Sequence, residues 1–317
     1  MRKRAFLIVM CLILVFVIGC KGRGSGENKN IERDYHIGTD GLEMNFLNNA
    51  PPNRIYVGDD LEVILELRNK GAWPDSDVFD GKLEVSGFDL AAINGRWEGG
   101  NEIQSTLRGK GQFLPEGGYT TKTYKDSDGV NVPSDDVDVY STDIIVASCY
   151  KYKTQARPVV CIDPDPFAVV QEDKVCQIND NGETYSTGSG QGGPVSVSSI
   201  RQEVGKDRIY FRIYLRNAGG GSVIEERAFN DCPFDLKTDQ IDKVKVGVRL
   251  SYDANPDCSP RGTAEDPVRL TDGQGTIFCS FTKPATTVSA FTTPLEIDLS
   301  YVYSSSIKKK IDIINLK

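Results

Sequence analysis

Between residues 61 and 68 apolar and polar positions alternate. Leu61, Val63, Leu65 and Leu67 fall on one side, Glu62, Glu66 and Arg68 on the other, and Ile64 is the one interruption. A period of two is the mark of a half-buried strand. The pattern returns at residues 209–216, where Ile209, Phe211, Ile213 and Leu215 alternate with Tyr210, Arg212, Tyr214 and Arg216. Both stretches end on Leu-Arg-Asn-x-Gly, and the matching leucines stand 148 residues apart (215 − 67). Such agreement in period and in ending predicts a repeated module, each copy built around an early core strand. Asn69 and Asn217, each followed two residues later by Gly, supply positions tolerant of positive φ where the chain leaves the strand.

Further strand patterns lie at residues 42–47, 83–85 and 137–146, and then at 195–204, 244–252, 276–281 and 295–303. Ser304, Ser305 and Ser306 read as a turn into a final strand over 307–314. Clusters of Gly, Pro, Asn and Asp separate these runs, and no segment carries the 3.6-residue period of a helix. Short strands at such intervals predict two antiparallel β-sandwiches of roughly a hundred residues, each with its own core, so that residues 195–317 fold alone. The expected domains are 41–162 and 195–317, joined by a connector at 163–194 that is polar, Pro-containing and finally Gly/Ser-rich.

The first twenty residues set the compartment. Arg2, Lys3 and Arg4 precede an uncharged apolar run over 5–18, the layout of an export signal. Fourteen residues are few for a span, which takes about 20. Val17-Ile18-Gly19-Cys20 resembles the lipobox of prokaryotic lipoproteins, which implies cleavage before Cys20 and lipidation of its thiol. Ile18 stands where that family usually has Ala or Ser, so a retained signal anchor stays open as the other fate. Both place the rest of the chain outside the cell. Residues 21–40 are rich in Gly, Asn and charge and read as a flexible tether. Without its signal the chain holds 34 Lys+Arg (37 − 3) against 45 Asp+Glu, a net charge of −11, which argues against nucleic acid as a partner.

Eight cysteines are present; beyond Cys11 and Cys20 remain Cys149, Cys161, Cys176, Cys232, Cys258 and Cys279. An even number in an exported chain predicts three disulfides. Sequence leaves 15 connectivities open. The expected set is Cys149 with Cys161 across a hairpin in DIIVASCYKYKTQARPVVCID, Cys258 with Cys279 across another, and Cys176 with Cys232. No Cys-x-x-Cys occurs and His36 is the single histidine, which disfavours a zinc site.

NRIYVGDDLEVILELRNKG and DRIYFRIYLRNAGGG resemble the strand patterns of the immunoglobulin-like, CARDB-type modules found in surface proteins of archaea and bacteria. ASCYKYKT, VVCIDPDPF and GQGGPVSV are similar to stretches of archaeal exported lipoproteins with paired modules of this kind. The resemblance covers most of the chain after Asp40. It implies an all-β chain of two immunoglobulin-like antiparallel β-sandwich domains in tandem after a signal and tether, used for display, spacing or adhesion. It carries over no binding residue.

Candidate chemistry changes this little. A serine hydrolase needs a histidine near its nucleophile, and His36 lies by the tether. Among so many acids no carboxylate pair stands out for glycoside hydrolysis. Gly219, Gly220 and Gly221 lack the lysine and helix of a phosphate loop. Asp126, Asp128, Asn131, Asp135, Asp136 and Asp138 crowd oxygen ligands suited to calcium into one loop, without EF-hand spacing, and a solvated acidic loop is the other reading. Trp73, Trp97, Tyr150 and Tyr152 offer flat faces for sugar or protein, or core. The expectation is a non-enzymatic, cofactor-free surface lipoprotein, membrane-bound through its lipid and meeting envelope or extracellular proteins or glycans. Sugar or calcium binding, and less strongly an accessory carboxylate hydrolase, remain as alternatives.

Overall fold

The computed structural model describes residues 35–75, 78–103, 107–166, 174–179, 181–188, 190–285 and 289–316. The signal, Cys20 and the tether as far as residue 34 lie outside the described residues. Seventeen strands follow: β1 (Leu42–Phe46), β2 (Arg54–Tyr56), β3 (Leu61–Asn69), β4 (Gly81–Ser86), β5 (Arg96–Trp97), β6 (Tyr119–Asp126), β7 (Val139–Ala156), β8 (Val159–Ile162) and β9 (Glu183–Ser186). Then come β10 (Val195–Val204), β11 (Arg208–Asn217), β12 (Ser222–Ile224), β13 (Lys243–Leu250), β14 (Asp257–Ser259), β15 (Val268–Arg269), β16 (Gln274–Thr282) and β17 (Phe291–Ile314). No α-helix occurs among the described residues.

The strands form three sheets, ordered β1-β3-β6-β5, β14-β16-β11-β10-β9 and β15-β13-β17-β7-β4, with β2, β8 and β12 also pairing with β17. Pairing is antiparallel except for the three-residue match of β2 to β17. The long pair β7 and β17 shapes the whole. Its ladder runs from Ile314↔Val139 to Ile297↔Ala156 and resumes in the same register at Pro294↔Val159. Pro158 has no N–H to donate, yet its carbonyl accepts from Leu295 N at 2.9 Å, so the ladder passes through the break.

This ribbon keeps one inner face for its full length. Ile144, Val146, Tyr150, Tyr152 and Ala156 on β7, with Leu295, Ile297, Leu299, Tyr301, Tyr303, Ile311 and Ile313 on β17, are all buried. Over one end pack Leu61, Val63, Leu65 and Leu67 of β3, and over the other Ile209, Phe211, Ile213 and Leu215 of β11, in one continuous apolar cluster. The fold is thus two small sheets resting on one long sheet, sandwich-like at both ends. The expected turn at Ser304–Ser306 does not occur; these serines lie within β17, opposite Cys149, Ser148 and Ala147. Pairing with β7 holds all three extended, so a run of small polar residues need not mark a turn. Cores expected to be separate are joined, because β17 lies under both small sheets.

The doubled sequence has a structural reason. Leu42 N donates to Tyr150 Oη at 3.1 Å, and Val195 N to Tyr301 Oη at 3.1 Å. Trp73 N donates to Tyr152 Oη at 3.2 Å, and Gly221 N to Tyr303 Oη at 2.6 Å. In each copy the Asn carboxamide closes the loop after its strand. Asn69 Nδ2 donates to Trp73 O and accepts at Oδ1 from Gly71 N, as Asn217 does with Gly221 O and Gly219 N. Tyr150 faces Tyr303 across the ribbon and Tyr152 faces Tyr301, so an approximate two-fold relates the halves. Neither Asn-x-Gly ending uses positive φ. Room is the reason for these glycines: a Cβ on Gly71 would overlap the Tyr152 hydroxyl, and one on Gly219 would stand 2.6 Å from that of Tyr303.

Candidate functional site

Cysteine pairing follows from the ribbon. The bonds are Cys149–Cys232, Cys161–Cys176 and Cys258–Cys279. Only the third matches the sequence-based expectation; it links directly opposed residues and staples the three-residue edge strand β14 to β16. Cys149 and Cys161 cannot pair, because β7 and β8 are one extended run and twelve residues along a strand separate them by about 40 Å. Cys149 instead points from the ribbon's outer face into a small second core with Ile224, Ala228, Cys232 and Val302. Residues 225–242 cover this face, and Lys151 caps the cluster with its ammonium 4.7 Å from the Phe229 ring centroid. Cys176 closes the connector back onto β8, where Lys174 pairs at 2.8 Å with the buried Asp163 carboxylate. Three disulfides fit an oxidising, extracellular setting.

The four axial tyrosines are structural. Their rings lie 5.9 to 6.3 Å apart in sequence and across the ribbon. Burial pushes the Tyr150, Tyr152 and Tyr301 phenols well above their ordinary range, and Tyr303 upward as well. Tyr150 and Tyr152 therefore offer no face to a ligand, contrary to one expectation. Trp73 is half-buried beneath Lys153 Nζ, 4.9 Å from its ring, and Trp97 packs edge-on against Tyr124.

The acidic loop is organised by its own backbone. Asp126 is buried and accepts from Asn94 N at 2.7 Å and Asp128 N at 3.1 Å, while Asn131 Oδ1 accepts from Val132 N. Asp128, Asp135 and Asp136 are exposed. Among the described residues no three His, Cys, Asp or Glu side chains are grouped to hold a metal ion.

What the sequence reading passed over is the outer face of the five-stranded sheet. Along β11 the outward residues are Arg208, Tyr210, Arg212, Tyr214 and Arg216, cation and aromatic in strict alternation. Register places Arg212 directly opposite Arg201 on β10 and Phe278 on β16. Tyr210 stacks on Phe278 with centroids 5.5 Å apart and planes 18° from parallel. Arg201 pairs with Glu203, and Arg208 donates to Ser280 Oγ. Among the described residues Arg212 and Arg216 make no ion pair or side-chain hydrogen bond. Toward the end of β11 the face deepens into a groove of about 570 Å³ between Tyr214, Arg216, Arg269, Gln274 and Thr276. The signal was present in RIYFRIYLR, where the sequence marked these positions as outward and said no more.

No protein-family model and no curated protein matches this chain. Among the described residues no helix is long and apolar enough to cross a membrane.

Proposed function

We propose that this chain is an exported, lipid-anchored, non-enzymatic surface protein whose two immunoglobulin-like sandwiches form one stiff body that presents a binding face. The observation that carries the reading is the β7–β17 ribbon. Two sandwiches joined by a flexible linker sample many orientations, whereas two that share the strands of one sheet hold a fixed one. Stiffness lowers the entropy lost when an extended partner is bound. The three disulfides support export, and the basic start, apolar run and Gly19-Cys20 support lipidation. Two acyl chains on Cys20 suffice for stable anchoring where one is marginal.

Among binding modes, sugar contact is favoured over calcium, since the β11 face is free and aromatic while Asp126 is occupied by backbone amides. The test of anchoring is metabolic labelling with a fatty acid in cells making the wild type or Cys20→Ala. Label in the membrane-bound wild type and none in the variant is the expected result. A membrane-bound wild type with an unmodified Cys20 thiol would overturn it.

A further inference from the structure

The β11 face is rich in positive charge although the chain as a whole is acidic. The exported chain is acidic, with 34 Lys+Arg against 45 Asp+Glu, yet three arginines recur at every fourth position of one strand. At about 3.3 Å per residue they stand roughly 13 Å apart, with a tyrosine midway between neighbours. The fold does not require this. The equivalent outward positions of β3 hold Glu62, Ile64, Glu66 and Arg68, beneath a sheet with the same inner face and the same Asn-x-Gly ending. Arg201 and Arg212 are directly opposed like charges, of which Glu203 pairs with Arg201 alone and leaves the Arg212 guanidinium uncompensated. Guanidinium groups left without side-chain partners at Arg212 and Arg216, beside aromatic rings on an open face, mark a surface suited to a ligand.

We propose that the outer face of β10, β11 and β16 binds a polyanionic polysaccharide, one whose repeating sugars carry carboxylate or sulfate groups. Guanidinium groups at Arg212, Arg216 and Arg269 offer planar, bidentate donors matched to such anions. Tyr210, Tyr214 and Phe278 supply apolar ring surface for the faces of sugar rings. Ser199, Thr276 and Gln274 add donors and acceptors for hydroxyl groups along the groove. The open sheet face lets an extended chain lie along β11 and meet cation and aromatic in turn. Nucleic acid shares the negative charge, but an exported, disulfide-bonded protein meets acidic polysaccharide in its own compartment. This proposal rests on the exported, non-enzymatic binding reading, and it is tested without reference to the anchor.

The experiment measures binding of the intact purified protein to polygalacturonate, dextran sulfate, neutral dextran and an oligothymidylate, each at two salt concentrations. Binding to the two charged polysaccharides that weakens with salt, with none to dextran, is the expected result. Arg212→Glu with Arg216→Glu should lower affinity at least tenfold, and Tyr214→Ala several-fold with the salt dependence unchanged. Arg68→Glu, at the equivalent place in the other half, should leave it unaltered. Thermal melting shows that each variant is folded; where the double variant does not fold, Arg212→Ser alone replaces it, with a loss of at least threefold expected. Wild type that binds neither charged polysaccharide, variants that bind like wild type, or tighter binding to the oligonucleotide would each overturn the proposal. Loss of lipid labelling with polysaccharide binding intact would remove the anchor and leave this face standing.

Discussion

Replacing Ile297 by Ala perturbs one half of the molecule, and both tryptophans report on the other. Ile297 is fully buried on β17, paired with Val248 of β13 and Ala156 of β7 under the five-stranded sheet. Trp73 and Trp97, the only two in the chain, belong to the half built on β3. Truncating a buried isoleucine to alanine removes its transfer free energy and leaves a cavity, together about 2–5 kcal/mol. Against a total of roughly 5–15 kcal/mol that is a large fraction. Because one apolar cluster spans both ends of the ribbon, the loss should be felt by the whole unit. Urea unfolding followed by tryptophan fluorescence and by far-ultraviolet circular dichroism should give coincident curves, both moved to lower urea by the same amount. Ile313→Ala, sixteen residues further along the same strand (313 − 297) and beside Ile55, should move them similarly. A tryptophan transition that stays at its wild-type midpoint in Ile297→Ala, while circular dichroism splits into two phases, would refute the shared core.

Two other outcomes follow from the axial tyrosines and from the asparagines that close the loops after β3 and β11. The buried tyrosines keep their protons when folded, whereas unfolded tyrosines lose them near pH 10, so their contribution is fully present below that pH and is lost as pH rises; each removes up to about 1.4 kcal/mol per pH unit. Stability measured from pH 9 to about 11 should therefore fall steeply, and less steeply in Tyr152→Phe; a flat profile would contradict the burial. Asn69→Ala strands the buried Leu107 carbonyl and Gly71 amide, at about 1–3 kcal/mol each, and frees the half-buried Trp73 carbonyl, whereas Asn217 is itself half-buried and water can replace part of its bonding. Urea titration should show the Asn69 variant as the less stable by at least about 1 kcal/mol, and equal losses would count against the roles assigned.

Individual strands were legible because period-two alternation is local: β10 covers the expected residues 195–204, and the inward faces of β3 and β11 are those the pattern marked. Pairing across the molecule was not. Nothing in Ser304-Ser305-Ser306 distinguishes a turn from the paired middle of a ribbon, and Pro158 suggests a hairpin where the ladder continues. Two of the three expected cysteine pairs failed for the same reason, since whether Cys149 can reach Cys161 depends on chain direction, which composition does not encode; Cys258–Cys279, set across neighbouring strands, pairs as expected. The outward alternation of Arg and Tyr on β11 was readable, but only the register that sets Arg201 against Arg212 distinguishes it from an ordinary solvated face.

The claim that two repeated halves are one folding unit is tested most directly by isolating residues 195–317 with Cys232→Ser, which removes the thiol orphaned by loss of Cys149. In that fragment β17 loses the ladder to β7 and β8 over nearly its whole length, and Ile311 and Ile313 lose the sheet that covers them. Circular dichroism and limited proteolysis should find it without cooperative unfolding and rapidly cleaved within 291–314. A protease-resistant fragment with a sharp thermal transition would contradict the shared ribbon as the basis of the fold.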